Sequence, residues 1–196
     1  MLVSPSNPTA GRVIQAPRLE SPGVPEAPFV GQPAPLFALP DADMEIFDLA
    51  SALASHHVVL YFYPRDNTPG CTRQAIDFSD HDGDFARERC IVVGVSPDDC
   101  LTHADFRDHH GLSVQLLSDE DYEVCKLYNV WRSQEVNGVT KQSVRRSTFI
   151  ISCDGVLQHV LHDVNPRGHA AEVFKLVQQL NTRKFNANRQ EYGRHA

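Results

Sequence analysis

A continuous apolar run, Val58 to Tyr63 (V-V-L-Y-F-Y), empties without a spacer into P-R-D-N-T-P-G-C at 64–71. Six apolar residues in a row, with no polar alternation, suit a strand covered on both faces, as in the sheet of an α/β protein. Behind the turn the period changes. Cys71, Ala75, Phe78 and Phe85 fall at i, i+4, i+7 and i+14, one stripe of a core-facing helix. The chain is therefore committed to strand, tight turn and helix, with Cys71 expected as the first helical residue. The first turn of a helix has unpaired backbone N–H groups and roughly half a positive charge. A sulfur placed there loses its proton more readily than an ordinary thiol.

The same alternation continues in both directions. Asp48 to Ala54 reads as a helical turn, Gly83 as an interruption of the helix that carries Cys71, and Ile91 to Val95 as the next strand. Ser96-Pro97-Asp98-Asp99 supplies an N-cap serine, a proline at the first helical position and an acid three residues after the cap, with Gly111 closing that helix. Val114 to Leu117 is a strand, Ser118 to Asp121 repeats the capping pattern, and Val124, Leu127 and Tyr128 form a short apolar face. The polar stretch Trp131 to Ser143 reads as a loop. Ser147 to Ile151 and Val156 to Leu161 are strands joined through Asp154-Gly155, a hairpin signal. The last helix spans about Arg167 to Leu180. Strand–helix alternation ending in a hairpin and a helix predicts an α/β sandwich with a mixed central sheet.

Composition narrows the partners. The formal charge of −7 disfavours nucleic acid or an anionic membrane surface, and no apolar run is long enough to span a bilayer. The N-terminus has no apolar core of a secretory signal. Six of the 13 prolines lie in residues 1–29, which read as a flexible extension; residues 30–181 form the domain and 182–196 a polar tail. Arg12 and Arg18 precede any acidic residue, which leaves organellar targeting open beside a cytoplasmic location. Five cysteines, at 71, 90, 100, 125 and 153, are an odd number without C-x-x-C pairs. That disfavours a disulfide framework or a structural zinc site and fits a reducing compartment with a working thiol. Neither a metal nor a cofactor is called for.

A thiol that reduces peroxides needs more than ionisation. Lowering its pKa from about 8.5 to about 6 raises the thiolate at pH 7 from roughly 3% to roughly 90%, a gain of about thirtyfold or 2 kcal/mol. Any larger acceleration has to come from donors that hold the peroxide and stabilise charge as the O–O bond breaks. The Thr68 hydroxyl can curl back towards the sulfur, the amides of Gly70 and Cys71 are the backbone donors, and Pro64 can wall the sulfur off from water. The set lacks a fixed cation. Arg146, just ahead of S-T-F-I-I, is the best candidate, with Arg145 beside it as the control.

The stretch V-V-L-Y-F-Y-P-R-D-N-T-P-G-C-T resembles the active-site segment of the peroxiredoxins, specifically the bacterioferritin-comigratory or PrxQ-type subfamily. The blocks G-Q-P-A-P-L-F-A-L-P, V-V-G-V-S-P-D, L-L-S-D, R-S-T-F-I-I and G-H-A-A-E-V follow in that family's order from about Val30 to Leu180. The resemblance implies a thioredoxin-like three-layer sandwich and thiol-dependent reduction of hydrogen peroxide and alkyl hydroperoxides. Cys71 would be the peroxidatic cysteine, completed by Thr68, Pro64 and Arg146, in a monomer or weak dimer. One departure concerns the resolving cysteine. Many members have it five residues after the peroxidatic one, where this chain has Ile76; the alternative position aligns with Arg107. Cys100 is the nearest substitute, and the simplest cycle uses Cys71 alone with an external thioredoxin-type or glutathione-type reductant. The competing reading is a redox-sensing thiol protein that turns over poorly and signals through mixed disulfides.

Overall fold

In a computed structural model, which describes residues 27–136 and 139–192, the strand at the centre is β3 (His57–Phe62), buried at every position. It is sandwiched between parallel β4 (Cys90–Ser96) and antiparallel β8 (Ser147–Ile151). β5 (Gln115–Ser118) adds parallel to β4, and β9 (Leu157–His162) antiparallel to β8, giving the order β5-β4-β3-β8-β9. Alternate residues of β3 serve two separate cores. Val58, Leu60 and Phe62 face one side with Leu49, Phe47 and Tyr128, whereas Val59 and Tyr61 face the other with Phe78, Phe106 and Val173.

The first side is covered by β1 (Ala38–Pro40), β2 (Ile46–Asp48), α1 (Leu49–Leu53) and α5 (Glu123–Leu127). The second is covered by α2 (Pro69–Asp80), α3 (Asp82–Arg87), α4 (Cys100–His110) and α6 (His169–Tyr192). This is the predicted three-layer sandwich with a mixed sheet. None of the helices among the described residues is long and apolar enough to cross a membrane.

Several local expectations are corrected. Cys71 is the third residue of α2, because Thr68 takes the N-cap and Pro69 the first position. The break after α2 falls at His81, and Gly83 lies inside α3. The cap of α4 is Asp99, whose carboxylate accepts the Thr102 amide at 2.7 Å. Ser96 stays in β4, paired with Ser118, and its hydroxyl is taken by Asp98. The segment read as a loop is a hairpin, β6 (Trp131–Val136) and β7 (Val139–Val144). The last helix runs on to Tyr192 rather than ending at Leu180. The Pro-rich extension lies, up to residue 26, outside the described residues, as do the last four residues of the tail.

Candidate active site

The end of β3 and the register across to β8 build the site. Phe62 pairs with Ser147, so the residue before Ser147 is delivered beside the residues that follow Phe62. That residue is Arg146. Its Nη2 lies 3.2 Å from Cys71 Sγ, and its Nη1 donates to Gln74 Oε1, which fixes the plane of the guanidinium. Gln74 is fully buried one turn after Cys71, and its Nε2 has no hydrogen-bond partner. Gly70 is a close-approach position, since a Cβ there would sit 3.4 Å from Arg146 Nη2 and 3.7 Å from the Pro166 ring.

Cys71 Sγ itself is buried, with the residue only 1% exposed. The first backbone bond of α2 runs from the Thr72 amide to the Thr68 carbonyl at 2.9 Å. The amides of Gly70 and Cys71 thus have no acceptor within the helix, and Thr68 puts no side-chain oxygen on them. Thr68 is only partly where expected. Its hydroxyl donates to the Arg65 carbonyl at 3.0 Å and not to the sulfur, because the loop doubles back over three residues before the helix starts. Pro64 is half-buried directly behind β3. Arg145 points away, its guanidinium bonded to Asp163 with Nε to Oδ1 at 2.8 Å.

Tyr61 completes the floor. Its ring stacks on Tyr63 and Phe78, and it requires a glycine on the next strand: a Cβ on Gly94 would meet the Tyr61 phenol carbon at 2.5 Å. Burial, with smaller contributions from Asp66 and Cys71, pushes the Tyr61 phenol far up, so it stays protonated. Gln74 and Tyr61 were missed by the sequence reading. A polar residue beside the apolar stripe of 71, 75 and 78 was the available signal for Gln74; nothing local marks Tyr61.

Burial pushes the Cys90 thiol up to about 12, and burial with the neighbouring Asp119 carboxylate raises Cys125 further. Cys100 opens α4 half-buried, Cys153 is exposed at the hairpin turn, and none of the five cysteines is in a disulfide. Arg107 is bound to Asp43 and Asp108, and Ile76 is 37% exposed on α2.

Residues 30–160 match the family model described as AhpC/TSA family. The chain belongs to the AhpC/TSA family of peroxiredoxins. It is 43% identical over 146 residues to the Helicobacter pylori (strain J99) protein bcp, covering 74% of this chain and 95% of that one. Peroxiredoxin Bcp of Bacillus subtilis is 34% identical over 151 residues, 77% of this chain and 96% of the relative. Among solved structures, a PrxQ mutant from Xylella fastidiosa superposes with a TM-score of 0.74 at 28% identity, over 80% of this chain and 99% of that one. The bacterioferritin comigratory protein of Xanthomonas campestris, described for its alkyl peroxide reduction activity, gives 0.70 at 30% identity over 73% and 90%. This peroxiredoxin is a thiol-dependent peroxidase of the Bcp/PrxQ kind, acting on peroxides with thiol reductants.

Proposed function

We propose that Cys71 is the peroxide-reactive thiol and that Arg146, Thr68, Pro64 and the amides of Gly70 and Cys71 form its site. The observation that carries this reading is the guanidinium contact, Arg146 Nη2 to Cys71 Sγ at 3.2 Å. A cation at that distance sets a fixed positive charge against the sulfur and stays in place while charge moves onto the peroxide. The thiolate attacks one oxygen of ROOH; an S–O bond forms, the O–O bond breaks, and RO⁻ leaves to take up a proton as ROH. Sulfur is oxidised to the sulfenic acid. The unpaired amides of Gly70 and Cys71, together with the Arg146 donor, face the oxygen on which negative charge grows. The Thr68 hydroxyl, its proton committed to the Arg65 carbonyl, offers its lone pairs to the peroxide O–H. Pro64 keeps water from the sulfur.

For the second half, an external thiol attacks the sulfenic sulfur, forming S–S and releasing water; a second thiol then frees Cys71 and leaves as the disulfide. Hydrogen peroxide and organic hydroperoxides are the substrates, with a thioredoxin-type or glutathione-type reductant. This one-cysteine cycle is supported by Ile76 and by the ion-paired Arg107 at the two positions where an intrachain partner would stand. Cys100 remains the intrachain alternative. Mass spectrometry of peroxide-treated protein checks the choice: the one-cysteine cycle gives sulfenylated Cys71 or a mixed disulfide. A Cys71–Cys100 link, lost together with turnover in Cys100→Ser, would replace that cycle.

A further inference from the structure

Close to Cys71 in the chain lies a buried polar cluster that the peroxide chemistry does not use. In the loop of residues 64–68, Arg65 and Asn67 are exposed and Pro64 and Thr68 half-buried; Asp66 alone is buried. Its Oδ1 accepts the Tyr63 phenol at 2.7 Å, and its Oδ2 lies 2.7 Å from Nδ1 of His103, a residue with no exposed surface. His103 Nε2 faces the Leu117 carbonyl at 3.2 Å. A carbonyl can only accept, so Nε2 carries a proton, and one further proton bridges Nδ1 and the carboxylate. The Asp66 amide donates to Asp98 Oδ2 at 2.8 Å, and the Asp98 carboxylate also accepts the Ser96 hydroxyl. The cluster therefore ties the loop leading into Cys71 to α4, β5 and the end of β4.

We propose that Asp66 and His103 are positioning residues that latch this loop and the first turn of α2 shut over Cys71. Their integrity sets how often the sulfur becomes accessible to a reactant larger than a peroxide. The need for such a latch follows from burial and from the reading of Cys71 as the peroxide-reactive thiol, on which this inference rests. A small peroxide can reach a sulfur in a pocket, but a protein thiol must approach in line with the S–O bond and bring its own bulk. With Cys71 1% exposed, the turn has to open first, and Asp66 is the only buried side chain holding the loop that precedes it.

The test needs no peroxide. The reduced full chain is labelled with N-ethylmaleimide, and each cysteine is quantified by peptide mass spectrometry. Cys90 and Cys125, at 2% and 0% exposure, report global opening. Asp66→Ala and His103→Ala should accelerate Cys71 labelling by at least roughly tenfold, as expected when buried bonds to a charged group are lost, with Cys90 and Cys125 unchanged. Asp66→Asn should stay within about twofold of wild type, because an amide can accept from Tyr63 and donate to Nδ1 while Nε2 still donates to Leu117. Asp98→Ala breaks the same loop more mildly, at the Asp66 amide. It keeps the test usable if Asp66→Ala does not fold, with the same sign and about threefold. Unchanged Cys71 labelling, equal acceleration of all three buried cysteines, or Asp66→Asn behaving like Asp66→Ala would each overturn the latch. Failure of the peroxide reading would show separately, as peroxide turnover that survives Cys71→Ser.

Discussion

Cys71 and Cys125 occupy the same local address. Each is the third residue of a helix that follows a strand, and each is almost fully buried. Their surroundings are opposite in sign. At α5 the Asp119 carboxylate accepts the amides of Val124 and Cys125 at 3.1 and 2.7 Å, using up the first-turn donors and adding a negative charge that, after burial, further raises the Cys125 thiol. At α2 no side chain caps the first turn, and the neighbouring group is the Arg146 guanidinium. On the proposed role of Cys71, a helix start and burial do not by themselves define a reactive thiol. What matters is whether the first-turn amides are left unpaired and which charge the tertiary fold sets against the sulfur.

The largest expected difference is in the thiols themselves. Cys71→Ser should remove NAD(P)H-coupled peroxide turnover altogether. Cys125→Ala should leave turnover per folded molecule intact while lowering stability by about 1 kcal/mol in denaturant titration. Next comes the cation. Arg146→Ala should slow peroxide reduction about a hundredfold, the loss typical of one transition-state donor, whereas Arg145→Ala should leave the rate near wild type. Equal effects would move the cation role away from Arg146.

A smaller change should blur the contrast from the other side. Asp119→Ala frees the α5 amides and removes the charge beside Cys125. It should lower stability by about 1–2 kcal/mol, as for other lost caps, and speed alkylation of Cys125 relative to wild type.

The smallest effect separates the two faces of the sheet by pH. His169 packs against Phe78 on the Cys71 side, and its Nε2 meets the Thr148 hydroxyl at 2.9 Å. Burial lowers its basicity below that of an ordinary imidazole. The unfolded chain then binds the proton first on acidification, so stability falls as pH drops through about 6.5 and rises again with pH. His169→Asn should flatten the denaturation midpoint between pH 7 and pH 5. An unchanged slope would assign it to His162, which burial also lowers.

Much of this fold is written in short-range pattern. The switch from the apolar run at Val58–Tyr63 to helical spacing at Cys71 located β3 and α2, Gly111 closes α4 in the left-handed conformation, and Asp154-Gly155 marks the turn before β9. Where two local signals overlapped, the sheet chose between them. Ser96-Pro97-Asp98-Asp99 contains both a serine cap and an aspartate cap, and pairing with Ser118 held Ser96 in β4. The hairpin of β6 and β7 was missed because its strands are polar and pair mainly with each other, so apolar alternation is absent. The Asn137-Gly138 pair between them was the signal to weigh.

Sequence by itself determined that a thiol would stand in the first turn of a core-facing helix behind a buried strand, because periodicity, capping and turn chemistry act over a few residues. Only the tertiary structure decided what that thiol would meet. Arg146 reaches it across 75 positions through the pairing of Phe62 with Ser147, and His103 reaches Asp66 across 37. Charges so far apart in the chain become neighbours only when strand order and register are fixed, and those are set by burial of both faces of the sheet rather than by any local pattern.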